Sequence, residues 1–320
     1  MMHSAPSPPR LVIVGATGWY GKTLVHEYVL AYGDRAAAEN LLLYASRPSL
    51  LSVDIQGCSL KFPVADLSEA PHQSLVHFDG LLWYAFILKN KLPDMGAEAY
   101  RIANESIATH VFECLTANPH LRTAFFSSGA AYGMTNCPAY EADPYAYLKI
   151  KYERKLTTLG PLVTIYPYAT LGKYVPDHLS FAAASFIHQA ITTGRIVIEA
   201  RNPVIRSYGS VHDFSRLLLR LFEDKHWTKG SIPSSIVPVT HTLDLMQLAH
   251  EVAAALECKI DIISSIEMNT SASVYITSNF SYGAQLAHFG LAPSGLTQQI
   301  RDMADGRAFH SLNENDKFTT

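Results

Sequence analysis

Residues 11–14, LVIV, run straight into GATGWYG at 15–21, and the helical-period stretch GKTLVHEYVLAYG continues from Gly21. A short, wholly apolar run of this kind reads as a strand buried on both faces. Gly15, Gly18 and Gly21 stand three apart at the strand-to-helix turn. In that context Gly15 permits the tight turn, Gly18 lets a pyrophosphate approach the backbone, and Gly21 lets helix and strand pack closely. The helix start adds amide donors and partial positive charge for phosphate.

The same alternation continues. LLLYAS (41–46), LLWYAF (81–86), TAFFSS (123–128) and LVTIYP (162–167) read as further strands, separated by NESIATHVFECLTA and YAYLKIKYERKLTTLG, which have helical spacing. Apolar strands separated by helices predict a parallel sheet covered on both faces. After Pro167 the pattern loosens into RIVIEA, IVPVT and helical stretches at about 243–257 and 292–304. The expected fold is therefore α/β: a Rossmann-type doubly wound parallel sheet over 1–170 with a return segment at about 207–242. A smaller, partly interwoven C-terminal substrate domain is expected from 171–206 and 243–320.

Composition narrows the class. The 320 residues are 48% hydrophobic and 17% charged, with a formal net charge of -3. Mixed charges of that size carry neither a nucleic-acid footprint nor a membrane-surface patch. Four cysteines without a Cys-x-x-Cys, and 14 histidines without ligand spacing, argue against a disulfide framework and against a metal site. The tail MMHSAPSPPR has no apolar segment typical of a signal peptide, and GLLWYAFIL is too short to span a bilayer. The expectation is a cytoplasmic protein.

The second strand ends YASRPS, with Ser46 and Arg47 where an acid would hold a ribose 2′-hydroxyl; Asp34 precedes the strand. A guanidinium pairs with a 2′-phosphate that a carboxylate would repel, so this ending predicts NADP over NAD.

Further stretches join the glycine turn: FFSSGAAYG (125–133), YAYLKIKYE (145–153), RSYGSVHD (206–213), VADLSE with Asp66 and Leu67, and Asn104 opening a helix after the fourth strand. With the C-terminal VYITSNFSYGAQLAHFGLAPSGLTQQI, the chain resembles over nearly its whole length the extended short-chain dehydrogenase/reductase family. These are NAD(P)-dependent nucleotide-sugar epimerases, dehydratases and reductases. The resemblance implies Ser128, Tyr145 and Lys149 as catalytic residues, with Ser127 the alternative to Ser128 by one position. It implies cofactor contacts at Gly15, Gly18, Trp19, Tyr20, Gly21, Ser46, Arg47, Asp66, Leu67, Ala85, Tyr145, Lys149 and Pro167. Substrate contacts fall on Ser128, Tyr145 and Arg206, the arginine on a diphosphate. Expected partners are a nucleotide sugar and, as a homodimer, a second copy of the chain.

DPYAYLKIKYER holds two Tyr-x-x-x-Lys pairs, Tyr145/Lys149 and Tyr147/Lys151. Residues two apart on a helix point about 200° apart, so the pairs cannot share a role. Glu153 lies four after Lys149, as the family pattern has it, whereas residue 155 is a lysine. Asp143 and Pro144 read as N-cap and first helical residue, which sets Tyr145 near the helix start. These points select Tyr145 and Lys149. A lysine ammonium one turn away favours the phenolate of a tyrosine whose ordinary pKa is about 10.

The reaction can be narrowed. Gly129 and Ala130 follow Ser128 where dehydratases have Asp-Glu, and Ala130 replaces the cysteine of some epimerase-reductases. Cys137 reads as an inert thiol. The first expectation is an NADP-dependent reductase of a keto group on a nucleotide-linked deoxysugar. Alternatives are a 4-epimerase with bound NAD(P), a reductase of a non-sugar carbonyl, and a non-enzymatic NADP-binding regulatory protein. Departures at YPYAT, where Ala169 replaces an asparagine, and at WYA bear on the identity of the sugar.

Overall fold

The computed structural model describes residues 7–134, 139–175, 181–223, 233–257, 259–267, 270–278 and 280–315. Cys137 lies outside them. The chain divides into two compact units, 1–167 with 215–236, and 168–214 with 237–320.

The first unit contains β1 (Leu11–Val14), α1 (Trp19–Tyr32), α2 (Asp34–Asn40), β2 (Leu41–Ala45), β3 (Ser49–Ile55), β4 (Cys58–Asp66) and β5 (Gly80–Trp83). It continues with α3 (Leu92–Met95), α4 (Ala97–Ala117), β6 (Arg122–Phe126), α5 (Pro144–Leu156) and β7 (Leu162–Ile165). The second begins with β8 (Ala169–Leu171), α6 (Ala182–Thr193), β9 (Arg195–Ile198) and β10 (Val204–Ser210). Helix α7 (Val211–Glu223) spans the division, and β11 (Ser235–Ile236) adds the last strand of the first unit. Then come β12 (His241–Asp244), α8 (Leu245–Leu256), β13 (Asp261–Ser264), β14 (Ser273–Tyr275), α9 (Tyr282–His288) and α10 (Leu296–Asn315).

The first unit's sheet has eight strands in the order β11-β7-β6-β5-β1-β2-β4-β3. Strand β1 lies at its centre, pairing in parallel with β2 and β5. One edge departs from the expected parallel sheet: β3 runs antiparallel to β4, with Ile55 opposite Cys58. The cause is local. Leu51, Val53, Phe62 and Val64 alternate inward, and the two-residue turn Gln56-Gly57 has φ of 52° and 83°. Positive φ at both turn residues matches the right-handed twist of a hairpin.

Strand β5 is shorter than LLWYAF implies because the Tyr84 and Ala85 amides both turn onto the Val14 carbonyl, at 2.8 and 3.0 Å. Its last residue, Trp83, is fully buried among Phe112, Phe125 and Tyr152, with ring centroids 5.0–5.6 Å away. Burying each such side chain stabilises the unit by roughly 1.5–3 kcal/mol. This cluster fixes α4 and α5 against the strands whose ends carry the candidate site.

In the second unit β10 is the hub. It pairs antiparallel with β12, and in parallel with β14 through its first half and β8 through its second. Strands β9 and β13 form a separate parallel pair, and α6, α8 and α10 pack together. Helix α8 starts with a reciprocal capping box between Asp244 and Gln247, which satisfies two orphan donors at once.

Candidate active site

The turn after β1 shows what its glycines are for. Gly15 has φ of +89°, and a Cβ there would come within 2.5 Å of the Ala85 amide nitrogen. A Cβ on Gly21 would come within 2.6 Å of Ala16 and of the Gly15 carbonyl. Both glycines are therefore demanded by the protein's own packing. Gly18 differs: a Cβ there would meet only the Gly15 carbonyl, at 3.3 Å. It caps α1 without any side-chain cap bond. An open cradle at a helix N-terminus fits the pyrophosphate of a dinucleotide. Trp19 and Tyr20 stack on one another at 3.9 Å, and Tyr20 lies beside Tyr84 and Phe126.

The other residues predicted to face a cofactor divide by environment. Asp66 ends β4, and its carboxylate accepts from the amide and hydroxyl of Ser68, which holds its pKa below the usual range. Leu67 is buried in the core. Ser46 and Arg47 follow β2 and are exposed. Asn104 is buried and structural: its side chain donates to the Tyr100 carbonyl and accepts from the Ile87 amide.

Ser127 and Ser128 follow β6 directly. The Ser127 amide donates to the Ile165 carbonyl at 2.8 Å and the Gly129 amide to the Pro167 carbonyl at 2.9 Å, so the turn is stitched on both sides of Ser128 to the end of β7 and the residues just after it. The Ser128 hydroxyl accepts from the Ala130 amide at 3.2 Å. A second brace was invisible in sequence. Tyr166 donates its hydroxyl to Glu153 of α5, and its ring lies 5.0 Å from that of Tyr132. Burial pushes the Glu153 carboxyl above its ordinary pKa.

Helix α5 starts where its sequence requires, with the Asp143 carboxylate accepting from the Tyr145 and Ala146 amides at 3.2 Å and Pro144 next. Its two lysine pairs diverge. Lys149 is only 4% exposed, and its Nζ donates to the Phe126 carbonyl at 2.5 Å. The same nitrogen lies 3.9 Å from the Phe86 ring centroid, 5.2 Å from Phe125 and 5.9 Å from Tyr145. Burial pushes its pKa down to about 7. Lys151 instead pairs with Glu105 at 2.8 Å with its side chain 47% exposed. Tyr147 packs edge-on against Tyr140.

Arg206 belongs to the second unit, on β10. Its Nη1 donates to the carbonyls of Ile205 and Ser273, at 2.9 and 2.7 Å, and Nη2 to the Ser273 hydroxyl at 3.0 Å. Asp213 accepts from the amide and hydroxyl of Ser294.

No protein-family model matches the chain, and no curated protein does. Solved structures do. One is TunA, an NAD-dependent NDP-hexosamine 5,6-dehydratase of tunicamycin biosynthesis, at 14% identity over 93% of this chain and 97% of that one, TM-score 0.67. An epimerase from Methanothermobacter thermautotrophicus matches at 13% identity over 97% and 95%, TM-score 0.67. UDP-glucose 4-epimerase from Stenotrophomonas maltophila, solved with NAD, matches at 16% over 95% and 99%, TM-score 0.67. The chain has the fold of the extended short-chain dehydrogenase/reductase enzymes that its motifs resemble.

These structures overturn the expectation of NADP. TunA is NAD-dependent and the Stenotrophomonas enzyme holds NAD. The physical error lay in Ser46 and Arg47. Lacking an acid at the end of β2 removes a repulsion toward a 2′-phosphate but builds no site for one, and an exposed guanidinium needs no phosphate to be satisfied.

Proposed function

We propose that the protein is an NAD-dependent nucleotide-sugar epimerase. The observation that carries this reading is the link between α5 and the end of β6. Lys149 bonds the carbonyl of Phe126, two residues before Ser128, and lies one helical turn from Tyr145. An acid–base pair and a hydroxyl donor on adjoining elements are what proton transfer at a carbinol needs. The open cradle at Gly18, at the start of α1, supports a pyrophosphate there.

NAD, when bound, supplies a reversible hydride acceptor. The chain's own residues supply the rest. The ionised Tyr145 phenol takes the proton from a sugar hydroxyl, becoming the neutral hydroxyl, and returns it after the stereochemical change. Ser128 hydrogen-bonds the same oxygen and orients it. Lys149 holds a cofactor hydroxyl and, in its protonated form, favours the ionised phenol of Tyr145. Such a cycle has no net oxidation. Elimination of water is less well served, because the turn Ser128-Gly129-Ala130-Ala131 has no carboxylate to act as acid or base. A diphosphate on Arg206 would have to compete with the bonds to Ser273, so its part is tested separately.

The test is direct. Purified protein with NAD and a series of UDP- and dTDP-sugars should interconvert one sugar pair, followed by anion-exchange chromatography. Arg206→Leu should weaken binding of the nucleoside diphosphate in calorimetry. Absence of NAD binding, together with absence of any sugar interconversion, defeats the reading.

A further inference from the structure

Phe86 has no part in the roles derived above, yet its ring lies closest of the three aromatic rings to the Lys149 ammonium, at 3.9 Å. It is perpendicular to Tyr145, with centroids 5.4 Å apart and planes at 89°. The ring is half-buried, while Lys149 beneath it is almost fully buried. We propose that Phe86 is a side-chain cap on Lys149, competing with a ligand hydroxyl for the lysine nitrogen, so that NAD binds only when the ring swings away. This rests on the reading above in which Lys149 holds a cofactor hydroxyl.

The backbone around the cap is fixed. The Ala85 amide donates to the Val14 carbonyl at 3.0 Å, and the Ala85 carbonyl accepts from Trp83 Nε1 at 2.8 Å. On the other side the Ile87 amide donates to Asn104 and the Ile87 carbonyl accepts from Tyr100, each at 2.8 Å. With both neighbours tied, opening is a rotation of the Phe86 side chain about its own bonds rather than a movement of the loop. The lysine keeps a polar partner in the closed state through the Phe126 carbonyl. The ring adds the attraction of a cation to a π face, which a hydroxyl approaching the nitrogen must replace. The competent state is then a fraction of the population, and apparent affinity falls by that fraction.

Reductive methylation with formaldehyde and dimethylamine-borane, read by mass spectrometry at Lys149, tests the cap on the full chain. Wild-type Lys149 should react slowly, and Phe86→Ala should react about tenfold faster. NAD should protect Lys149 in the variant, and its affinity measured by calorimetry should tighten by a similar factor. Phe86→Val, a smaller truncation, gives the same direction if the alanine variant melts too low to use. Equal methylation of Lys149 in wild type and in a folded variant overturns the cap. Faster methylation without NAD binding or protection upholds the cap and overturns the NAD reading instead.

Discussion

The two faces of α5 carry the same motif in opposite surroundings. Tyr145 and Lys149 share a stripe with the buried Leu148, Tyr152 and Leu156. Tyr147 and Lys151 lie on the other side, where Lys151 joins Glu105 in a half-exposed ion pair. Spacing is identical, so spacing cannot tell the pairs apart. A lysine placed on an apolar stripe loses its hydration, and burial pushes its pKa down to about 7. Burial on one face is what makes a common dipeptide spacing chemically distinctive.

The comparison is broken most directly at the tyrosines. Tyr145→Phe should lose about 10²–10⁴-fold in sugar interconversion, the usual contribution of a general acid or base, and keep NAD binding. Tyr147→Phe should retain most activity. Steady-state rates of the two variants decide it, and the reverse ranking would move the chemistry to the outer face.

The lysines differ next, through pH. Between about 7 and the ordinary lysine value of about 10.4, the unfolded chain keeps a proton that folded Lys149 has released. Stability therefore rises with pH across that window, and below it the burial cost is felt in full. Lys149→Met should stabilise the protein most at pH 6, on the order of 3 kcal/mol, with the gain shrinking toward pH 10. Lys151→Met removes only a half-exposed ion pair and should change stability by less than about 1 kcal/mol. Urea unfolding of both variants at pH 6, 8 and 10 would reveal it; a pH-independent gain for Lys149→Met contradicts the buried, shifted amine.

That the two lysines of α5 point to different sides was legible from helical spacing, and so was the cap at Asp143-Pro144. So were the glycine turn and the five parallel strands that begin at Leu11, Leu41, Gly80, Arg122 and Leu162. The hairpin of β3 and β4 was missed although SLLSVDI alternates and Gln56-Gly57 supplies its turn. The partner of Lys149 had no side-chain signal at all, because it is the carbonyl of Phe126. Phe86 was hidden inside an apolar run that reads as strand, while the strand itself ends at Trp83. Ser46 and Arg47 misled because a residue's identity does not say whether its side chain is committed to a ligand or to water.

A smaller effect acts on both faces together. Asp143→Ala removes the cap from the start of α5 and should cost about 1 kcal/mol of stability. Its ion pair with Lys89 adds little, since the lysine side chain is 59% exposed. Asp143→Asn, which can still accept at the helix start, should recover most of the loss in thermal unfolding. Failure of that rescue would assign the loss to the charge.

The smallest effect is expected on the outer face alone. Lys151 and Arg101 both reach Glu105, at 2.8 and 2.5 Å, so removing Lys151 leaves the carboxylate paired. Exposed pairs gain little Coulomb energy in water and lose side-chain freedom when they form. A double-mutant cycle of Lys151→Ala with Glu105→Ala should therefore give a coupling of about 0.5 kcal/mol or less. That small coupling should fade in 1 M salt, where the screening length falls to about 3 Å. A coupling above about 1 kcal/mol that persists in salt would mean that Lys151 also sits in a dry, organised setting. The contrast between the faces of α5 would then rest on geometry alone, and the buried amine of Lys149 would no longer single out its pair.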